Sequence, residues 1–112
     1  MTVWPASSRL FDLDSVIVSY ERAATGTGAM LCPAGLAWKY AWELKPVLPL
    51  YGSDGMHPSP MDTLLAAITI YGTITQEADY NFLKLEELES SYQIGKDDFK
   101  ILKDAAIKAL HL

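Results

Sequence analysis

The chain reads as an α/β layer protein, mostly helical, with one or two short parallel strands. Two apolar runs and the elements between them predict this. Ala29-Met30-Leu31-Cys32, closed by Pro33, has the composition of a short strand buried in a parallel sheet. Leu48-Pro49-Leu50-Tyr51 is a second extended run, set between a helical segment and a loop. Short strands alternating with helices are the pattern of layered α/β domains.

The elements follow in order. Residues 1–13 are irregular, punctuated by Trp4-Pro5 and Ser7-Ser8. Asp14 or Ser15 caps a first helix over about Val16 to Ala24, with Val16, Tyr20 and Ala23 on one face. Thr25-Gly26-Thr27-Gly28 ends it, because glycine accepts the left-handed C-terminal conformation. Pro33-Ala34-Gly35 turns the chain into a second helix, Leu36 to Leu44, which carries Trp38 and Trp42 one turn apart. Pro46 stops it. A third helix starts at Ser59-Pro60, serine as N-cap and proline at the first helical position, and runs to about Thr75 through Gly72. Residues 78–93 are mixed, with a helical turn around Leu83 to Leu88. Asp97 or Asp98 caps a final helix to about Leu110, with Phe99, Leu102, Ala106 and Leu110 at helical spacing.

The third helix is apolar on most sides: Leu64, Leu65, Ile68, Ile70, Tyr71 and Ile74 do not fall on one stripe. Such a helix is expected to be buried nearly all round. One or two strands make too small a sheet to bury it, so the chain is expected to be part of a larger α/β domain, residues 1–112 forming a single domain or its C-terminal portion.

Composition narrows the function. Half of the 112 residues are apolar and 21% are charged, a globular balance with a modest core. The net charge of −5 and scattered Lys and Arg argue against nucleic-acid binding. The run Glu86-Glu87-Leu88-Glu89 reads as a solvated helix face. The single cysteine, Cys32, excludes an internal disulfide and reads as a small buried hydrophobe. No cofactor is implied, and no ligand cluster suggests a metal. The longest mostly apolar stretch, Leu64 to Tyr71, is too short to span a membrane. Met1-Thr2-Val3-Trp4-Pro5 has neither the basic start nor the apolar region of a signal peptide, so the chain as it stands is expected in the cytoplasm.

One stretch looks like chemistry. Asp54 precedes His57 by three residues across a turn that Gly55 permits. That spacing can set a carboxylate against an imidazole, fixing its tautomer and stabilising its protonated form, as ester hydrolysis by a base-activated nucleophile requires. Pro58-Ser59-Pro60 then leads rigidly into the third helix.

The order Gly35-Leu36-Ala37-Trp38, Leu50-Tyr51-Gly52-Ser53-Asp54-Gly55-Met56-His57-Pro58-Ser59-Pro60, Leu65-Ala66-Ala67 and Tyr71-Gly72 resembles the C-terminal block of SGNH (GDSL-like) hydrolases. The resemblance implies a flavodoxin-like three-layer α/β/α fold around a parallel sheet. It implies Asp54 as the triad carboxylate and His57 as the general base. It implies hydrolysis of acyl esters, on small molecules, lipids or carbohydrates, without metal or organic cofactor.

The same resemblance exposes what the chain lacks. It has no Gly-Asp-Ser nucleophile motif and no Gly-x-Asn-Asp oxyanion motif, and its only asparagine, Asn81, follows the histidine block in the wrong context. Gly52-Ser53-Asp54 only looks like a scrambled nucleophile motif, with Ser53 adjacent to the orienting carboxylate. Asp62 and Leu64 stand where the family has a glycine and an aromatic. Two functions are therefore expected as alternatives. Either the chain supplies Asp54 and His57 to an ester hydrolase completed by an N-terminal half or a partner, or it is a truncated, non-catalytic relative that self-associates as a homo-oligomer. Trp38 and Trp42 are expected in the core rather than in a pocket. Lys100, Lys103 and Lys108 are expected on a solvated face, and Tyr71, Tyr80 and His111 are expected to be inert.

Overall fold

The computed structural model describes residues 1–111 and is all-helical. A short 3-10 helix, Ser7–Asp12, runs directly into α1, Leu13–Thr27. The other helices are α2, Ala34–Leu44; α3, Pro60–Thr75; α4, Leu85–Tyr92; and α5, Lys96–Leu110. There is no sheet among the described residues, so the expected α/β, flavodoxin-like three-layer fold with parallel strands is overturned. The one β-type feature is an isolated antiparallel bridge between Tyr51 and Pro58.

Neither run expected as a strand has a strand partner: of the first only Cys32 is buried, with Met30 66% exposed, and of the second only Leu48 and Leu50. The carbonyl of Cys32 accepts from Thr2, through its backbone N–H at 2.9 Å and its hydroxyl at 3.3 Å. Leu48 and Leu50 are almost fully buried, and the Leu50 carbonyl accepts from the Ser59 N–H at 2.8 Å. An apolar run can satisfy its backbone through long-range loop contacts, and periodicity does not distinguish this from a ladder.

The helix ends follow local chemistry. Ser59 caps α3, its hydroxyl accepting from the Asp62 N–H at 3.1 Å, with Pro60 at the first helical position. Gly28 terminates α1 in the left-handed conformation, its N–H bonded to Ala24 O. α1 begins three residues earlier than expected and buries Leu13 and Ile17 instead of the Val16–Tyr20–Ala23 face. α5 is capped by Gly95, and Asp97 and Asp98 lie in its first turn, where the helix dipole favours negative charge. The N-terminus of α2 follows Pro33, which offers no capping side chain. The hydroxyl of Thr2 takes that role from a distance, accepting from the Gly35 N–H at 2.7 Å. Gly35 is needed there, because a Cβ would stand 2.7 Å from the Val3 carbonyl oxygen.

α2, α3 and α5 pack on one another around a single core. Small residues permit close approach: Ala37 and Ala41 on α2 and Ala105 and Ala106 on α5 have no exposed surface. Leu65 and Leu102 fill the centre. α1 lies against α2, and α4 against α3. At Gly72 of α3 a Cβ would meet Leu110 Cδ1 at 2.3 Å and the Tyr80 hydroxyl at 2.8 Å, so glycine sets how closely α3 and α5 pack. α3 is not buried all round: Leu64, Leu65 and Ile68 face inward while Ile70 and Ile74 remain exposed. Three packed helices cover its inner face, so its apolar character no longer demands a sheet.

Trp38 is fully buried, as expected of a core residue, whereas Trp42 is only partly so. Trp38 anchors an aromatic cluster, with ring centroids 4.2 Å from Trp4, 4.8 Å from Tyr51 and 5.4 Å from Trp42. Such packing rigidifies the segment that leads into the candidate site.

Candidate functional site

Residues 52–57 form a closed loop. Its base is the Tyr51–Pro58 bridge, tightened by Gly52 N–H to His57 O at 2.7 Å and Ser59 N–H to Leu50 O. Within it, Gly55 has φ +68°, a conformation glycine adopts without steric cost. Asp54 has two tasks. Its Oδ1 accepts from the N–H groups of Met56 and His57, each at 2.9 Å, which builds the turn. Its Oδ2 pairs with Nδ1 of His57.

An ionised carboxylate only accepts, so Nδ1 carries the proton and Nε2 is left as the lone-pair nitrogen. No described residue bonds Nε2, and the His57 side chain is 80% exposed. The His57 bond and the two backbone N–H groups hold the Asp54 carboxyl well below the usual carboxylate range. Asp54 in turn raises the His57 pKa above its ordinary 6.5, first through the hydrogen bond and then through charge. Asp54 and His57 are thus brought together as an oriented, exposed base.

The loop is also held from outside, which the sequence did not indicate. The backbone N–H of Ser7 donates to Gly55 O at 2.7 Å. A Cβ at Gly55 would lie 2.5 Å from the Ser7 hydroxyl oxygen. The Tyr51 hydroxyl donates to Pro5 O at 2.5 Å. Residues 2–7 therefore form a strap tying the start of α2, the aromatic cluster and the dyad loop together. No local pattern marks such a strap, because each contact spans more than 25 residues.

Asp62 lies in the first turn of α3, just after the loop in sequence, and is 1% exposed. Its Oδ2 has no hydrogen-bond partner, nor has the buried Nε1 of Trp38. Burial pushes the Asp62 carboxyl up to about 8, so it is largely neutral near pH 7. The same burial raises the Tyr51 hydroxyl, with the Asp62 charge adding to it.

The remaining candidates do not join the dyad. Ser53 is exposed beside Asp54 and makes no side-chain hydrogen bond among the described residues. Asn81 is exposed, and its N–H bonds Asp79 in a separate turn. His111 lines a cavity of about 320 Å³ together with Thr73 and Gln76 at the other end of α3. No group of three or more His, Cys, Asp or Glu able to hold a metal occurs among the described residues, and none of their helices is long and apolar enough to cross a membrane.

Comparison with protein families, with curated proteins and with solved structures gives no significant match.

Proposed function

We propose that this chain presents Asp54 and His57 as the general-base pair of an ester hydrolase resembling the SGNH enzymes, the nucleophile and oxyanion donors coming from polypeptide outside it. One observation carries the reading. A single carboxylate builds the turn through Oδ1 and orients the imidazole through Oδ2, leaving Nε2 exposed. In this role Nε2 takes the proton of an attacking hydroxyl and later returns it to the leaving alkoxide. Asp54 fixes the tautomer and stabilises the imidazolium between those steps. The reading rests on the loop and the start of α3, and the α/β architecture of the family forms no part of it.

Alone, the pair is expected to act as a weak imidazole catalyst, since one oxyanion donor is worth about 3–4 kcal/mol in a serine hydrolase. The test is hydrolysis of p-nitrophenyl acetate by the folded chain. A slow rate is expected that rises with pH through a midpoint above 6.5, disappears in His57→Ala and has its midpoint lowered in Asp54→Asn. A rate unchanged by His57→Ala contradicts the proposal. No stoichiometric fluorophosphonate adduct is expected; an adduct that depends on His57 would show an activated serine within this chain and overturn the external nucleophile.

A second reading, a self-associating module without activity, is favoured by one surface. Ile70 and Ile74 are exposed one turn apart on α3, and Phe82, also exposed, stacks on Tyr71 with centroids 5.0 Å apart. Apolar groups clustered on a surface commonly mark an interface.

A further inference from the structure

A shallow groove of about 360 Å³ lies between the 3-10 helix and α2. Leu10, Phe11, Leu13 and Trp42 supply its apolar surface, and Asp14, Lys39 and Glu43 its rim. We propose that it holds the neutral aliphatic tail of the ester processed at His57; its place in catalysis rests on the base-pair reading above.

Position comes first. The 3-10 helix is anchored to the dyad loop at its first residue, by Ser7 N–H to Gly55 O. Leu10 and Phe11 follow three and four residues later, just past a kink at Arg9 (φ −123°, ψ 23°). On the other wall the Trp42 ring is 5.8 Å from Tyr51, which pairs with Pro58, the neighbour of His57. The cavity near His111 is far from the dyad, since Thr73 lies 13 positions beyond Pro60 on α3, roughly 20 Å at 1.5 Å per residue. One wall is thus tied to the dyad loop directly, through Ser7, and the other through Tyr51 at the base of the loop.

Chemistry selects the ligand. Trp42 has its one polar atom occupied, Nε1 donating to Leu48 O at 2.8 Å, so it offers only its ring to the groove. Phe11 is 79% exposed at the lip, with the Arg9 guanidinium 5.8 Å from its ring centroid and itself committed to Asp12 at 2.6 Å. Lys39, the cation of the lining, is committed to Asp14 at 2.8 Å, and Glu43 is paired with Lys108 at 3.4 Å. The groove therefore offers apolar contact and no unpaired cation for a carboxylate or phosphate. A neutral amphiphile is therefore favoured over one whose carboxylate would lie at this rim.

The experiment is an NMR titration of the whole ¹⁵N-labelled chain with 1-octanol and, separately, with octanoate at pH 7. Saturable shifts are expected at the Trp42 indole N–H and at the amides of Leu10 and Phe11. Octanoate is expected to bind about tenfold more weakly, and Phe11→Glu, a change at an exposed position, to weaken octanol about tenfold. Absence of saturable shifts at Trp42, equal affinity for octanoate, or indifference to Phe11→Glu would each overturn the proposal. Octanol binding is expected to survive His57→Ala. If it does while ester hydrolysis proves independent of His57, the groove stands and the base-pair reading fails. If hydrolysis depends on His57 but the Trp42 region does not respond, the groove assignment fails alone.

Discussion

At position 62 a carboxyl group sits in the core with one oxygen unpartnered and no cation beside it. Such a group is tolerable only while protonated. The sign of its effect follows. The unfolded chain releases this proton near 3.8, whereas the folded chain keeps it to about 8. Between those values the folded state binds more protons, so raising the pH favours unfolding. The loss begins near pH 4 and is complete above pH 8, with an upper bound of about 6 kcal/mol, a large share of a small domain's stability. Asp62→Asn is expected to flatten this slope and to stabilise the chain at pH 8 relative to pH 5, as urea denaturation at the two pH values would measure. A wild-type slope retained in Asp62→Asn would place the titrating group elsewhere. The departure at Asp62 from the glycine of the resembling family was visible in the sequence. Its burial was not, because the first turn of a helix carries no local mark of what packs over it.

At the scale of elements, what the sequence made legible was local. Ser59-Pro60 announces the start of α3, and Gly28 the end of α1, because caps are written in adjacent residues. The Asp54–His57 pairing was legible for the same reason, three residues and one glycine sufficing to bring the groups together. The strands were misread because the Cys32 carbonyl and the Tyr51 hydroxyl are held by distant residues rather than by a ladder. Thr2 reaches across 30 positions to Cys32, and Tyr51 across 46 to Pro5. The strap also makes a prediction about the dyad loop. Gly55→Ala imposes a positive φ on a side chain, at about 1–2 kcal/mol, and drives a methyl into the Ser7 hydroxyl. It is expected to lower thermal stability and to broaden or shift the His57 resonances. Adding Ser7→Ala should recover part of the loss, the steric share, and leave the backbone share. Full recovery, or none, would show that the two contributions are wrongly divided.

For the whole molecule, the helical architecture changes what the sequence argument meant. An over-apolar α3 suggested a lost sheet, yet α2, α4 and α5 cover much of it, and of its large apolar side chains Ile70 and Ile74 are the ones left exposed. The burial that remains to be explained is thus a patch, not a layer. If this patch is an interface, mass by light scattering rises with concentration, and Ile74→Lys, at a position 68% exposed, restores the monomer without loss of helicity. A mass that stays monomeric at high concentration removes the self-association reading and leaves the dyad as the distinguishing feature of the surface. The measurement that bears most directly on that dyad is a ¹⁵N NMR titration of the His57 ring across pH 5 to 9. The proton is expected on Nδ1 in the neutral form, with a pKa above 6.5 that falls towards 6.5 in Asp54→Asn. A neutral ring protonated on Nε2, with a pKa indifferent to Asp54, would contradict the assignment of these two residues as an oriented base.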